Sequence, residues 1–163
     1  ESMGLVQATM SKEEDVAVMH RVQAWQRFKV DHPLFHQTVS GIQTEVTDGE
    51  LVGHPDLEIT EPGRWGLIDI KTSKAIQPKH WLQVAAYACL KRGIWGLVPV
   101  NEPCFIAILR LDKLTGQYDY KELTGWKAIG DEIEVFGAYW KAYQHGQQIR
   151  EVMRRLAEQE ALE

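Results

Sequence analysis

Cysteine is scarce in this chain: Cys89 and Cys104 are the two present in 163 residues. Both sit in apolar stretches, and two thiols are too few for the disulfide framework of a small secreted scaffold, so a reduced, cytoplasmic protein is expected. Long apolar runs are missing too. The best, Ile94 to Leu109, is interrupted by Asn101, Glu102 and Pro103, short of the ~20 residues a membrane-spanning helix needs. No membrane partner is expected. No signal peptide is legible, and the opening "ESMG" reads as a tag remnant, so residues 1–10 carry no weight here. A surplus of positive charge is also lacking. The formal net charge of -5 excludes a generally basic nucleic-acid binder. Neither a Gly-x-x-x-x-Gly-Lys loop, nor a Gly-x-Ser-x-Gly elbow, nor a Cys-x-x-Cys pair occurs. That weakens ATPase, serine-hydrolase and zinc-module readings.

What is present is a core. Hydrophobic residues make up 44% of the chain, with six Trp, which fits a single domain over residues 1–163. The charge, although small in sum, is unevenly placed. Glu45 to Asp69 holds seven acids and one base, Arg64, whereas Lys71 to Asn101 holds no acid and five bases: Lys71, Lys74, Lys79, Lys91 and Arg92. Cations suit the first segment and a polyanion the second.

Periodicity and punctuation predict the order α-βββ-α-ββ-α. A helix is expected from about Lys12 to Val30, with acids in its first turn, Pro33 beyond its end and an apolar set of Val16, Met19, Val22, Ala24 and Trp25. A hairpin follows, with strands over about Gln37–Val46 and Glu50–Thr60 around an Asp48-Gly49 turn. After Glu61-Pro62-Gly63 comes a third strand, Trp65 to Thr72. Pro78 and Gly93 then delimit a helix. "CFIAILRLD" and "GQYDYKEL" form two strands joined through Lys113 to Gly116. From about Thr124 to residue 163 the pattern is helical, with a stripe of Ile129, Ile133, Phe136, Trp140 and Tyr143 and a break expected at Gly146. Such an order builds a mixed β-sheet flanked by α-helices, an α/β fold.

The stretch "GLIDIKTSKAI" carries the chemistry. In a strand, Asp69 and Lys71 share a face with Trp65 and Leu67, while Ile68 and Ile70 face the other way. An acid and a base side by side at the end of a buried-looking strand require a reason. Asp56, after Gly53-His54-Pro55, is exposed by a proline that ends strand pairing, and a short connection between the second and third strands sets it beside Asp69. Two carboxylates at close range repel unless a proton or a cation lies between them. All-oxygen ligation suits Mg²⁺ or Mn²⁺ rather than Zn²⁺, and the backbone carbonyl of Ile70 offers another oxygen. Lys71 can then orient an attacking water or stabilise charge on phosphorus. Gln83 and Tyr87, four residues apart, share one helical face.

"GHPD", twelve residues, "DIK", then "QVAAY" resembles the PD-(D/E)XK nuclease superfamily, most closely the RecB-type branch and the nuclease-like proteins of phages and prophages. The motifs span Glu45 to Tyr87. The resemblance implies a restriction-endonuclease-like core, a Mg²⁺- or Mn²⁺-dependent nuclease and DNA as partner, in a bacterial or phage-infected cell. It implies that Asp56 and Asp69 bind metal and Lys71 is catalytic. Gln83 and Tyr87, with Lys74 and Lys79, would support the site or touch DNA. Glu45 matches an acid often present on the first strand, an auxiliary ligand, and His20 stands nearest to the group's upstream histidine. The chain departs from the pattern twice: Asp69 replaces the commoner glutamate, and Val16 stands where a glycine would precede His20. The four cysteines of an iron–sulfur cluster are absent, so no cluster is expected. A recombinase or helicase is the partner class such nucleases imply.

Duller explanations exist for each residue. An Asp-x-Lys on a strand is usually a solvated face, Asp56 a turn residue and Cys89 a small core residue. His54 would flank the site, whereas His32, His36, His80 and His145 read as surface or capping residues. The competing functional readings are a non-catalytic DNA- or protein-binding module, and an assembly subunit joined as a homo-oligomer through the C-terminal helix.

Overall fold

Two aliphatic segments, Arg64–Lys71 and Cys104–Leu111, are buried along most of their length and lie parallel to one another, as strands covered on both faces do. They are the centre of the fold. The computed structural model describes residues 12–33, 35–93 and 104–160. Its elements are α1 (Lys12–Asp31), α2 (Phe35–Thr38), β1 (Val39–Ile42), β2 (Val46–Thr47), β3 (Val52–Gly53), β4 (Leu57–Glu61) and β5 (Arg64–Lys71). There follow α3 (Pro78–Arg92), β6 (Cys104–Leu111), β7 (Tyr118–Thr124) and α4 (Trp126–Glu160). The main sheet has the order β1-β4-β5-β6-β7, parallel between β5 and β6 and antiparallel elsewhere. A parallel neighbour requires a crossover, and α3 lies within it.

The period-2 alternation of β5 divides the core. Trp65 and Leu67 face α3 and α4, against Val84, Ala88, Ile108, Trp126 and Ile129. Ile68 faces α1 and α2, against Phe28, Phe35, Ile59 and Leu109. The expected α/β architecture, a mixed sheet flanked by helices, is the one observed.

α3 has clean boundaries. Pro78 opens it, since a missing N–H costs nothing in the first turn, and Gly93, in the left-handed region at φ 64°, closes it with its N–H on Leu90 O. His80 caps the start: its Nδ1 accepts the Gln77 N–H at 3.1 Å. It is buried, which corrects the surface half of its expected role. Burial, then the charges of Lys71 and Lys79, hold its pKa below the usual histidine value, as suits a neutral nitrogen that accepts. Cys89 packs in the core, its pKa pushed up to about 11 by burial. Both cysteines are free thiols, and Cys89 is no nucleophile at neutral pH.

The first expected hairpin is where the structure differs most. Residues 35–38 are a short helix, and the remainder splits into β1, paired with β4, and a separate two-stranded ribbon of β2 and β3 around Asp48-Gly49. Two backbone features impose this. Gln43 sits at φ 47°, a left-handed conformation that ends β1, and Pro55 ends the ribbon before β4 can start. α4 runs unbroken through Gly146 for 35 residues, about 52 Å at the helical rise; one interior glycine costs about 1 kcal/mol, which a helix of that length absorbs. Its stripe is buried at Ile129 and Ile133 and gives out by Tyr143, which is 51% exposed. On α1, Val16, Met19 and Val22 are exposed, and the sheet is met by Ala24 and Phe28. Among the described residues no helix is long and apolar enough to cross a membrane.

Candidate functional site

The register of β4 with β5 pairs Leu57 with Ile68. Continued by one residue it sets Asp56 opposite Asp69, and by two, Pro55 opposite Ile70. Proline brings no N–H, so the backbone ladder stops. The Ile70 N–H then donates to a side chain instead, Asp56 Oδ2 at 2.6 Å. A carboxylate takes the place of a strand acceptor and is thereby fixed at the end of the sheet.

Asp69 is 3% exposed. Lys71 Nζ lies 2.6 Å from its Oδ2, an ion pair inside the protein. Burial raises the Asp69 pKa most; the Lys71 ammonium opposes it and the Asp56 carboxylate adds to it, for a net upward displacement. Asp69 thus sits in a place that disfavours its charge, with Lys71 as the opposing influence.

Lys71 is positioned from the other side by α3. Its ammonium donates to Gln83 Oε1 at 2.8 Å, and Gln83 Nε2 donates to the Tyr87 hydroxyl at 2.6 Å. The spacing of four residues puts both on one face of α3. Because the Tyr87 oxygen accepts here, its own proton is available to a further acceptor. Beneath this ring lies Gly53, where a Cβ would collide with the Tyr87 ring. Gly53→Ala is accordingly expected to push Tyr87 off Gln83. Overpacking of this kind costs about 1–3 kcal/mol, to be read as a fall in Tm.

The structure therefore brings Asp56, Asp69, Lys71, Gln83 and Tyr87 into one chain of contacts, with the Ile70 peptide against Asp56. It does not bring in every candidate. His20 Nδ1 donates to Lys113 O, 3.0 Å away, and so joins α1 to the turn between β6 and β7. Glu45 is exposed ahead of β2, and His54 is exposed between β3 and Pro55. Among the described residues no three His, Cys, Asp or Glu gather as a metal-binding group, so neither Glu45 nor His20 adds a third ligand to the two aspartates. Lys74 and Lys79 are exposed at the β5–α3 connection and the start of α3. The far end of the positive segment is already engaged: Lys91 pairs with Glu58 at 3.0 Å and Arg92 lies over the Trp65 ring.

Arg110 is a further charged group at this end of the sheet. In the parallel register it neighbours Lys71. Its guanidinium reaches Lys74 O at 3.3 Å and Asp112 at 3.1 Å, pinning the β5–α3 connection to the end of β6. The signal was available: in "FIAILRL" it is the lone charge, at the strand's end.

No family model matches the chain, and no curated protein matches it in sequence. Among solved structures, the crystal structure of LHK-Exo in complex with dAMP matches with a TM-score of 0.51 at 15% identity, covering 93% of this chain and 77% of that one. The two chains share a fold. The crystal structure of the alkaline exonuclease LHK-Exo from Laribacter hongkongensis gives a TM-score of 0.48 at 14% identity, covering 92% and 77%.

Proposed function

We propose that this chain is a metal-dependent deoxyribonuclease that hydrolyses DNA phosphodiester bonds as an exonuclease in DNA processing, recombination or repair. One observation carries the proposal: two carboxylates, Asp56 and Asp69, lie close enough at the end of a strand ladder for the first to raise the pKa of the second, and the buried one is ion-paired with a lysine that Gln83 holds. A solvated strand face would leave none of these groups buried, and a structural ion pair would need no second carboxylate. The shared fold with an exonuclease supports the same reading.

The donor set fits a hard divalent cation. Mg²⁺ is commonly held by one or two carboxylates together with substrate phosphates and waters, so Asp56 and Asp69 would suffice without a third side chain, and the Ile70 carbonyl would add an oxygen. When bound, such an ion supplies charge neutralisation for the phosphodiester and a lower pKa for water. The chain's own groups do the rest. Asp56 and Asp69 would hold that ion at the end of the sheet. The Lys71 ammonium orients the water and opposes the negative charge building on the phosphoryl oxygens. Gln83 shares the Lys71 ammonium with Asp69 and fixes its direction, and the Tyr87 hydroxyl proton is directed to a phosphate oxygen. Lys74 and Lys79 engage the backbone, contacts that carry little sequence information, so cutting is directed by strand ends rather than base identity.

End-labelled linear DNA and covalently closed circles, each incubated with Mg²⁺, Mn²⁺ or EDTA, test this. Loss of linear DNA alone, with metal and not with EDTA, is the expected result. Nicked circles would make the enzyme an endonuclease. DNA retained in a gel shift but left uncut under every condition would replace the proposal with a DNA-binding module on the same fold.

A further inference from the structure

Beside Gln83 and Tyr87 the surface opens into a groove of about 370 Å³, walled by the β2–β3 ribbon, one face of α3 and the middle of α4. That size lies within the range of small-molecule sites, about 300–1,000 Å³. Its two ends differ in chemistry. At one end stand Lys79 and Gln83, a turn apart on α3, and the first turn of that helix contains no acid, so the positive end of its dipole is unopposed. Along the walls stand Leu82, Val52 and Tyr139, the last two 61% and 67% exposed. A lysine at the rim of an otherwise aliphatic and aromatic trough matches a nucleotide: phosphate to Lys79, base to the trough. An apolar peptide side chain would satisfy the trough and leave the Lys79 end unmatched.

We infer that this groove is a base-binding subsite. It receives the unstacked base of the nucleotide next to the phosphate under attack, with the base against Tyr139 and Val52 and its phosphate toward Lys79. The inference rests on the nuclease reading for its choice of substrate strand. Gln83 and Tyr87 belong both to the groove and to the Lys71 contact chain, so base and scissile phosphate would meet the same face of one helix. Because the trough offers apolar and aromatic surface, it tolerates any base.

The test is equilibrium binding of a short fluorescent single-stranded DNA, and of the same strand with one abasic position at its end, in Ca²⁺ to suppress turnover. Tyr139→Ala and Val52→Ser, both at exposed positions that a fold tolerates, are compared with the unmodified full-length chain. Stacking on one aromatic ring accounts for about a five- to hundred-fold difference in affinity. The expected result is a loss of that order for the complete strand in Tyr139→Ala, a smaller loss in Val52→Ser, and no change for the abasic strand. Equal losses on both strands would show that the groove grips backbone, and would overturn the inference. So would unchanged affinity in both variants, or no binding by the unmodified chain. Cleavage in Mg²⁺ is measured in parallel. A base-dependent loss with no cleavage by any variant would leave the subsite standing and remove the nuclease reading.

Discussion

Lys71→Ala is expected to lower the rate of DNA cleavage by on the order of 10²–10³-fold, the effect of removing one preorganised group that stabilises transition-state charge. DNA affinity should change little. Lys71 is inward, with 19% of its side chain exposed, and engages Asp69 and Gln83 rather than the outer surface on which Lys74 and Lys79 stand. Single-turnover cleavage with anisotropy of labelled DNA separates the two quantities. Arginine is not an adequate substitute: its planar fork does not fit a pocket shaped for a point charge between a carboxylate and an amide oxygen. A Lys71→Ala enzyme that cut at the normal rate would remove Lys71 from the mechanism while leaving the fold as described.

Asp69→Asn is expected to abolish cleavage and at the same time to raise Tm in metal-free buffer. The reasoning follows from the direction of the Asp69 shift. Its folded-state pKa lies above the ordinary carboxylate value because of burial first and Asp56 second, with Lys71 only partly offsetting them. A carboxyl of that kind favours the fold below its unfolded pKa, near 3.9. That contribution is lost as pH rises through the folded value, above which the ionised side chain works against folding. An amide keeps the shape and removes the charge. In a chain of this size each kcal/mol gained moves Tm by about 2–4 °C. Adding Mg²⁺ should reverse the ranking, since an ion that binds the native state stabilises it by mass action and the variant has lost a ligand. Melting curves with and without Mg²⁺ decide the matter. A variant less stable than the parent without metal would mean that the Lys71 contact outweighs the burial of Asp69.

Much of this was legible in the sequence because it depends on short-range rules. β5 announced itself through an aliphatic run, and its alternation placed Asp69 and Lys71 on the face of Trp65 and Leu67, where they lie. Pro78 and Gly93 bounded α3, and the spacing of Gln83 and Tyr87 aligned them. The position of Asp56 followed from Pro55. What escaped depends on tertiary partners. Whether residues 37–60 pair as one hairpin or divide between a sheet edge and a ribbon is decided by the left-handed backbone at Gln43 and by Gly53 fitting under Tyr87, and neither reads as a break in isolation. His80 looks like a surface residue until α3 docks and buries it. Val16, Met19 and Val22 have helical spacing, yet the sheet under α1 is met by Ala24 and Phe28 instead. Arg110 looks like a charge at a strand end until the parallel register sets it next to Lys71.

The bond from the Ile70 amide to Asp56 gives the two aspartates unequal fates. On the proposed reading Asp69 serves the reaction while opposing the fold, so a lineage freed from cleaving DNA would shed it readily and gain stability by doing so. Asp56 also completes the strand ladder that Pro55 leaves open, and its loss would strand a backbone donor at the end of the sheet. Descendants that keep this fold for gripping alone should therefore retain the first aspartate long after the second has drifted, a fossil that records a vanished activity through the architecture it still supports.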